Sequence, residues 1–305
     1  MMKDKFSIYI KALRLPFLAG SIAPLITAAA FCYYRGTFTF YPFFIAIIGV
    51  SALHLGANLL NDYFDALGSD SINIRITPFS GGSRVIQENN IQPKTVLVLS
   101  IILFLIGILC GLLFYLTGRP YVLLIGLFGL FAGWAYSAPP FRLMSIGLGE
   151  IFVFFAFGPF ITLGTGYVIT GSLSWPDFLL GIPHGFFIMA VIWINEFPDY
   201  QADHKAKKRN IVVMIGLSKA RYFYGIIMLL PFLSVILLVY IIGIPYTVLL
   251  SLIAIPLSIK AVHILWTRYM SYQDLIPAQA LTILTMISVG LLISGTLFIS
   301  KILGL

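Results

Sequence analysis

Charged residues are scarce in this 305-residue chain: 11 are acidic and 19 are basic, 10% of the total. A soluble domain carries about a quarter charged residues, so the composition excludes an ordinary soluble globular protein. Cysteine is also scarce, because the chain contains only Cys32 and Cys110. Both lie inside long apolar runs, which excludes a disulfide-stabilised scaffold. Apolar side chains, by contrast, make up 60% of all residues.

The long uncharged runs predict membrane-spanning helices. A helix that crosses a hydrocarbon core of about 30 Å needs about 20 apolar residues, and seven runs meet that length nearly or fully. An eighth run, residues 222–259, is long enough for two helices, and its Gly243-Ile244-Pro245 segment predicts a turn between them. We therefore expect an all-α integral membrane protein with nine transmembrane helices in one domain, residues 1–305. The seven single runs are 15–33, 41–61, 95–118, 120–141, 151–176, 178–195 and 275–300.

The distribution of basic residues predicts the orientation of the chain. With nine spans, sixteen of the 19 Lys and Arg residues fall on the side that holds the N-terminus. Such a bias marks the cytoplasmic side of a membrane protein. Two long connections, residues 65–94 and 198–218, lie on this side, and loops of such length are usually functional or disordered. This bias accounts for the net charge of +8, so we expect no nucleic acid as a partner. The predicted spans and their orientation indicate the cell membrane as the location.

Polar residues gather on one face of the second predicted span. At about 100° per residue, five of them share an arc of about 100°. Burying a carboxylate at mid-depth against lipid costs about 2.5–3.5 kcal/mol. This face is therefore expected to line a central polar cavity that is open to the cytoplasmic side. The five residues are His54, Asn58, Asn61, Asp62 and Asp65, and Asp70 follows in the next connection.

The sixth predicted span ends in a second acidic cluster. Asn195, Asp199 and Asp203 recur at every fourth position, so they share one face if the helix continues. Pro198 is expected to kink that helix and to free a backbone carbonyl. Four basic residues follow: Lys205, Lys207, Lys208 and Arg209.

Two carboxylate arrays on one side of a membrane protein suit the binding of a diphosphate. Mg²⁺ prefers oxygen ligands and is commonly held by one or two carboxylates together with substrate phosphates. Each array is expected to hold one ion, with a diphosphate bridging them and nearby Arg and Lys neutralising the remaining charge. The alternative for either cluster alone is a solvated helix end at the membrane surface. The matched Asn-then-Asp spacing in both clusters favours the metal site.

At these residues the sequence resembles the UbiA superfamily of intramembrane prenyltransferases. Residues 61–65, Asn-Asp-Tyr-Phe-Asp, together with Asp70 resemble its first motif, and Asp199-x-x-x-Asp203 resembles its second. The order of the motifs and the nine spans extend the resemblance over essentially the whole chain. Four further segments are similar to the branch that prenylates 1,4-dihydroxy-2-naphthoate in menaquinone synthesis: residues 81–84, 136–142, 147–150 and 195–196.

The sequence departs from the family pattern at two places. The gap between Asp65 and Asp70 differs by one residue from common family spacings, and the usual Gly-Lys pair after the second motif reads Lys207-Lys208. The resemblance implies that one Mg²⁺ is held by Asn61, Asp65 and Asp70, with Asp62 beside them, and that Asp199 and Asp203 hold the other. It also implies substrate contacts from Arg14, Asn58, Arg84, Tyr136, Arg142, Asn195 and Lys207. For Arg14, Arg142 and Lys207 the alternative is an ordinary basic residue of a cytoplasmic loop.

The expected activity is Mg²⁺-dependent transfer of a polyprenyl group from its allylic diphosphate to an aromatic acceptor within the bilayer. Preorganised positive charge would stabilise the leaving diphosphate, and aromatic rings beside the motifs would stabilise the allylic cation. The acceptor could also be 4-hydroxybenzoate, homogentisate, haem or a glycerol-based lipid. A cation-coupled transporter is the rival class, although transporter sites usually lie near the membrane midplane. The expected catalytic residues are Asp65, Asp199, Arg84, Lys207, Tyr63 and Tyr200, whereas Asp177, on the opposite side, is expected to be dispensable.

Overall fold

The computed structural model describes residues 2–305, with side chains from Ser7 onward. This part of the chain is helical and contains no β-strand. Three 3₁₀ segments, Leu15–Leu18, Leu143–Ser145 and Tyr246–Ala254, join longer helices. The α-helices are α1 (Met2–Leu13), α2 (Ala19–Tyr34), α3 (Phe40–Ala66), α4 (Ser69–Ile72), α5 (Pro93–Leu116), α6 (Val122–Ala135), α7 (Gly149–Phe157), α8 (Pro159–Thr170), α9 (Trp175–Leu179), α10 (Ile182–Lys205), α11 (Ile211–Ile215), α12 (Leu217–Ile242), α13 (Ile255–Arg268) and α14 (Ile276–Leu303).

Eight helical segments of the described chain are long and apolar enough to cross a membrane. The predicted span 120–141 forms the shorter helix α6, whose 14 residues extend about 21 Å at about 1.5 Å per residue. A ninth crossing therefore stays a prediction. The eight long segments are Leu15–Tyr34, Phe40–Ala66, Pro93–Leu116, Gly149–Thr170, Trp175–Lys205, Leu217–Ile242, Tyr246–Arg268 and Ile276–Leu303.

The run 222–259 divides where the sequence predicts a turn. Helix α12 ends at Ile242, and Gly243 adopts a left-handed conformation with φ of 68°. A residue without a Cβ tolerates this conformation at little cost, which makes glycine a common helix terminator. The chain then re-enters the bundle through Tyr246–Ala254, so the predicted pair of helices is confirmed.

Glycine contacts bring α10, which carries the second acidic cluster, close to the α7–α8 segment. A Cβ at Gly185 would lie 2.6 Å from the carbonyl oxygen of Phe154, and Gly158 lies directly against Gly181. Small residues allow helix backbones to approach closely in membrane proteins. This approach packs the N-terminal end of α10, opposite its acidic end, tightly against α7 and α8.

The prediction of a loop over residues 198–218 is wrong. Helix α10 continues through Pro198 to Lys205, and the short helix α11 lies between it and α12. Proline is tolerated inside membrane helices because neighbouring groups and local adjustments satisfy the freed backbone atoms. Asp199 and Asp203 therefore lie on a continuous helix. The connection 65–94 contains only the short helix α4 before an irregular segment that leads to α5.

Candidate active site

The two acidic clusters meet across the bundle, and Lys208 joins them. Its Nζ atom lies 2.8 Å from Oδ1 of Asp65 on α3 and 3.5 Å from Oδ1 of Asp203 on α10. Burial alone would lower the pKa of Lys208, but the charges of Asp65 and Asp203 outweigh it and raise that pKa. The lysine is therefore charged, and it supplies a fixed cation between the motifs.

Helix α3 holds its polar residues through hydrogen bonds to neighbouring elements. Nδ2 of Asn61 donates to Oδ2 of Asp65 and to Oγ of Ser137, each at 3.0 Å. Asp62 points to a different side, where Oδ1 accepts a bond of 3.2 Å from the backbone N–H of Ser83 and lies 3.9 Å from Arg14. Its other oxygen, Oδ2, is buried and has no hydrogen-bond partner.

The connection after α3 folds back against α10. Asp199 accepts bonds from Nδ2 of Asn73 at 2.7 Å and from the backbone N–H of Gly81 at 3.3 Å. Asp203 accepts a bond of 2.9 Å from Nδ2 of Asn210, the residue that also caps α11. The two bonds to Asp199 place residues 73–82 against the second acidic cluster.

Glycine is required at the turn of this connection. Gly81 and Gly82 have φ of 83° and 73°, a region that side chains rarely adopt. A Cβ at Gly82 would also collide with the carboxylate of Asp70. Arg84 then donates to the backbone carbonyl of Asp70. Burial, followed by repulsion from Asp65, raises the pKa of Asp70 to about 7.

The clusters form the polar head of one cavity of about 340 Å³. From this head the cavity continues as an apolar arm among α3, α5, α6 and α8. Along α3 its lining runs from Asp65 to Ile45, about 30 Å at about 1.5 Å per residue. A Cβ added at Gly111 or Gly126, which line the arm, would meet no atom within 4 Å. The arm is thus an open apolar space behind a charged head.

The structure brings nine of the predicted site residues to this cavity. They are Arg14, Asn58, Asn61, Asp65, Asp70, Tyr136, Asn195, Asp199 and Asp203.

The other predicted site residues lie outside the cavity lining. Lys207 and Arg142 are exposed to solvent. Tyr63 packs against the apolar cluster that contains Val85, and Tyr200 stacks on His204 with ring centroids 6.3 Å apart. The remaining two, Asp62 and Arg84, contact the residues around the cavity as described above.

Sequence reasoning missed three groups at the polar head. Lys208, Asn210 and Glu196 line the cavity, whereas the sequence-based prediction named the neighbouring Lys207. The positions of Lys207 and Lys208 differ because the backbone of Lys207 adopts a left-handed conformation, with φ of 59°, where the chain leaves α10. The match of Lys208 to the lysine of the family's Gly-Lys pair was the available signal.

Asp177, which the sequence predicts to be dispensable, is buried rather than exposed to solvent. Its side chain is fully buried and accepts bonds of 3.0 and 3.4 Å from Nη2 of Arg35. It also fills the space beside Gly166, where a Cβ would lie 2.6 Å from its Cγ. Asp177 therefore has a packing role on the side of the bundle opposite the acidic clusters.

The polar head has the charge and the donor atoms for divalent cations. Five carboxylates line it and that of Asp62 lies beside it, and among the described residues the cations that pair with these six groups are Lys208 and Arg14. No group of three His, Cys, Asp or Glu side chains is close enough to hold a metal as the described residues stand. Lys208 lies between two of the acids, and Oδ2 of Asp62 still lacks a partner. The excess of negative charge and the oxygen ligands fit a hard divalent ion.

The fold and the cavity define a polytopic helical membrane protein that encloses an amphipathic site. The chain belongs to the UbiA prenyltransferase family, whose model matches residues 21–276, and it is a prenyltransferase. A Mycobacterium tuberculosis protein named 1,4-dihydroxy-2-naphthoate octaprenyltransferase is 26% identical over 293 residues, 96% of this chain and 97% of the relative.

Two solved structures share the fold. The apo structure of a UbiA homolog from Aeropyrum pernix gives a TM-score of 0.65 at 15% identity and covers 88% of this chain and 96% of that chain. A UbiA homolog from Archaeoglobus fulgidus bound to GPP and Mg²⁺ gives 0.59 at 14% identity and covers 94% and 99%. The bundle described above is therefore the fold of this family.

Proposed function

We propose that this prenyltransferase moves a polyprenyl group from an allylic diphosphate to 1,4-dihydroxy-2-naphthoate or a similar aromatic quinone precursor, with release of diphosphate. The observation that carries the proposal is the joined head and arm of the cavity. A polyprenyl diphosphate has the same division, with a highly charged group at one end of a long hydrocarbon. Beside α3 the whole cavity extends about 30 Å, from Asp65 in the head to Ile45 in the arm, and the arm offers the hydrocarbon an apolar lining.

The head is proposed to hold the diphosphate. Lys208 lies between the two motifs and would contact its oxygens directly, while Arg14 approaches from the first span. Arg84 would act by fixing the connection that carries Asp70. Two Mg²⁺ ions would be held by Asn61, Asp65 and Asp70 and by Asp199 and Asp203. When bound, these ions supply positive charge that stabilises the leaving diphosphate.

The residues of the chain also protect the reactive carbon from water. The segment 73–82 covers the acidic residues through its bonds to Asp199, and apolar helices enclose the space below. An allylic cation formed there meets hydrocarbon and aromatic surfaces rather than solvent, which prevents its hydrolysis. Tyr136, which lines the cavity, is better placed to face that cation than Tyr63 or Tyr200.

The choice of acceptor is supported by two observations. The M. tuberculosis relative, which spans nearly the whole chain, is named for 1,4-dihydroxy-2-naphthoate. The segments 81–84, 136–142, 147–150 and 195–196 resemble the same branch; three of them contribute residues to the cavity lining, and Gly149 of the fourth packs against Tyr136. We therefore favour a bicyclic hydroquinone acid over 4-hydroxybenzoate.

The same proposal fixes the orientation in the membrane. The acidic head would open to the cytoplasm, from which a soluble aromatic acid can enter, and α6 would provide the ninth crossing. The basic residues on the side of the acidic clusters support this orientation. The arm would then extend towards the outer leaflet.

Purified protein with one labelled prenyl diphosphate and a panel of acceptors tests the function. We expect Mg²⁺-dependent formation of a prenylated product, fastest with 1,4-dihydroxy-2-naphthoate, and loss of the reaction when a chelator removes the ion. Equal or faster turnover of 4-hydroxybenzoate would refute the choice of acceptor and leave the prenyl transfer intact. Absence of transfer to every acceptor would refute the function itself.

A further inference from the structure

His54 is a buried histidine for which the proposed diphosphate site has no use. It lies on α3, and its side chain is 7% exposed. Its Nδ1 atom is 2.6 Å from Oγ of Ser21 on α2, and its ring forms a T-shaped pair with Phe157, with centroids 4.7 Å apart. Among the described residues, no side chain or backbone group forms a hydrogen bond with its second nitrogen, Nε2.

The histidine is directed into the cavity where the polar head ends. His54 and Ser21 both line the cavity. One turn towards the head, α3 presents Asn58, whereas the positions deeper along the helix, Val50 and Gly49, are apolar. His54 is seven residues from Asn61, about 10 Å along the helix axis. It is therefore the deepest polar side chain that α3 contributes to the cavity lining.

Nε2 of His54, where the polar head ends, can form a hydrogen bond with a polar ligand. Nε2 forms no hydrogen bond among the described residues, and a prenyl chain, which is hydrocarbon, cannot form one with it. The hydroxyl group of an aromatic ring is both donor and acceptor. It pairs with Nε2 whether Ser21 donates to Nδ1 or accepts from it. The ring that carries the hydroxyl would at the same time find an apolar wall at Phe157.

We propose that His54 and Ser21 form the floor of the acceptor site, where Nε2 of His54 hydrogen-bonds a ring hydroxyl of the aromatic acceptor. This inference rests on the proposed function, because it assigns a place to the second substrate of that reaction. Ser21 is a positioning residue that fixes the imidazole plane through Nδ1. The diphosphate lies farther up, at Lys208, so the two substrates contact different residues.

The test compares an acceptor with an analogue in which hydrogen replaces that hydroxyl, in the wild type and in two variants. His54→Leu removes the hydrogen bond and keeps an apolar side chain, whereas His54→Gln retains a polar group. One hydrogen bond corresponds to about a tenfold effect. We expect His54→Leu to raise KM for the hydroxylated acceptor about tenfold and to leave KM for the analogue without the hydroxyl unchanged, and we expect His54→Gln to recover part of the loss.

Two further measurements separate this role from a structural one. Equilibrium binding of the acceptor to purified protein, without any prenyl diphosphate, should weaken in His54→Leu by the same factor as KM rises. Binding of the prenyl diphosphate should not change, because Lys208 and the acidic residues remain. His263→Leu, at an exposed histidine of α13, is the matched control and should leave both affinities at the wild-type values.

If His54→Leu does not fold, Ser21→Ala decides the question, since it frees the ring without removing it. Loss of preference for the hydroxyl in that variant supports the inference. An equal loss for both acceptors, or a changed preference for prenyl chain length with an unchanged acceptor KM, would overturn it. Failure of the wild type to prenylate any aromatic compound would instead refute the proposed function, so the two outcomes are distinct.

Discussion

Replacing Lys208 by methionine tests the polar head most directly. Methionine keeps much of the side-chain length and removes the charge that lies 2.8 Å from Asp65 and 3.5 Å from Asp203. The lysine side chain is only 13% exposed. Removing one partner of a buried ion pair costs about 3–5 kcal/mol, and the residual exposure places Lys208 at the lower end of that range.

Removing this charge should also lower the rate of catalysis. If the ammonium group contacts the leaving diphosphate, its removal withdraws one preorganised cation, and such groups contribute about 2.7–4 kcal/mol. About 3 kcal/mol corresponds to a fall in rate of about 150-fold. We therefore expect kcat/KM to decrease by about two orders of magnitude in Lys208→Met. Lys207→Met should stay within about twofold, because surface substitutions change little.

Labelled prenyl transfer measures the loss of activity. Thermal unfolding with and without Mg²⁺ measures the loss of stability. The variant should unfold at a lower temperature in chelator, because Asp65 and Asp203 lose their shared cation. Added Mg²⁺ should raise its unfolding temperature more than that of the wild type. Wild-type activity in Lys208→Met, or an equal loss in Lys207→Met, would contradict the arrangement described here.

Three further predictions concern the rest of the cavity and the orientation. Asp65→Ala and Asp199→Ala should each abolish prenyl transfer while the protein still purifies as a folded monodisperse species. The control variant Glu88→Ala, at an exposed acid, should retain full activity. Gly126→Leu should fill the arm without a clash and shift the preference to shorter prenyl diphosphates; an unchanged chain-length profile would exclude the arm as the tail site. In intact cells, Glu88→Cys and Lys207→Cys should resist an impermeant thiol reagent, whereas a cysteine in the connection after α2 should react; labelling of the first two would reverse the orientation.

The choice of Glu88 as the control comes from the structure. On the sequence alone, Asp177 is the natural control, because it stands apart from both motifs. In the bundle it is buried and bonded to Arg35, and hydrogen bonds to charged groups contribute about 1.5–3 kcal/mol. Asp177→Ala would therefore lower stability for reasons unrelated to the reaction.

The sequence predicts the parts of the site that depend on local spacing. Asn61 and Asp65 are one turn apart, as are Asp199 and Asp203, so a helix brings each pair to one face whatever surrounds it. Helical periodicity also explains why most of the predicted residues of α3 and α10 line the cavity. The all-helical fold follows from the long apolar runs, because a helix satisfies its own backbone in lipid.

What the sequence leaves open depends on contacts between distant segments. Asn73 and Gly81 reach Asp199 only because the irregular chain after α4 turns at glycines with positive φ. The selection of Lys208 over Lys207 depends in the same way on one left-handed residue after α10. No periodic pattern encodes such irregular turns, so motif spacing alone did not identify these partners.

Helix α3 links the chemistry of the head to the length of the arm. Its C-terminal part carries Asn61 and Asp65, and its N-terminal part carries Gly49 and Ile45 on the cavity lining. Side chains of a helix lean towards its N-terminus, so the carboxylate of Asp65 leans down into the bundle, towards the arm. A single inserted residue near His54 would rotate one half by about 100° relative to the other. Head and arm would then no longer share a cavity, which makes the register of α3 a condition for binding an amphipathic substrate.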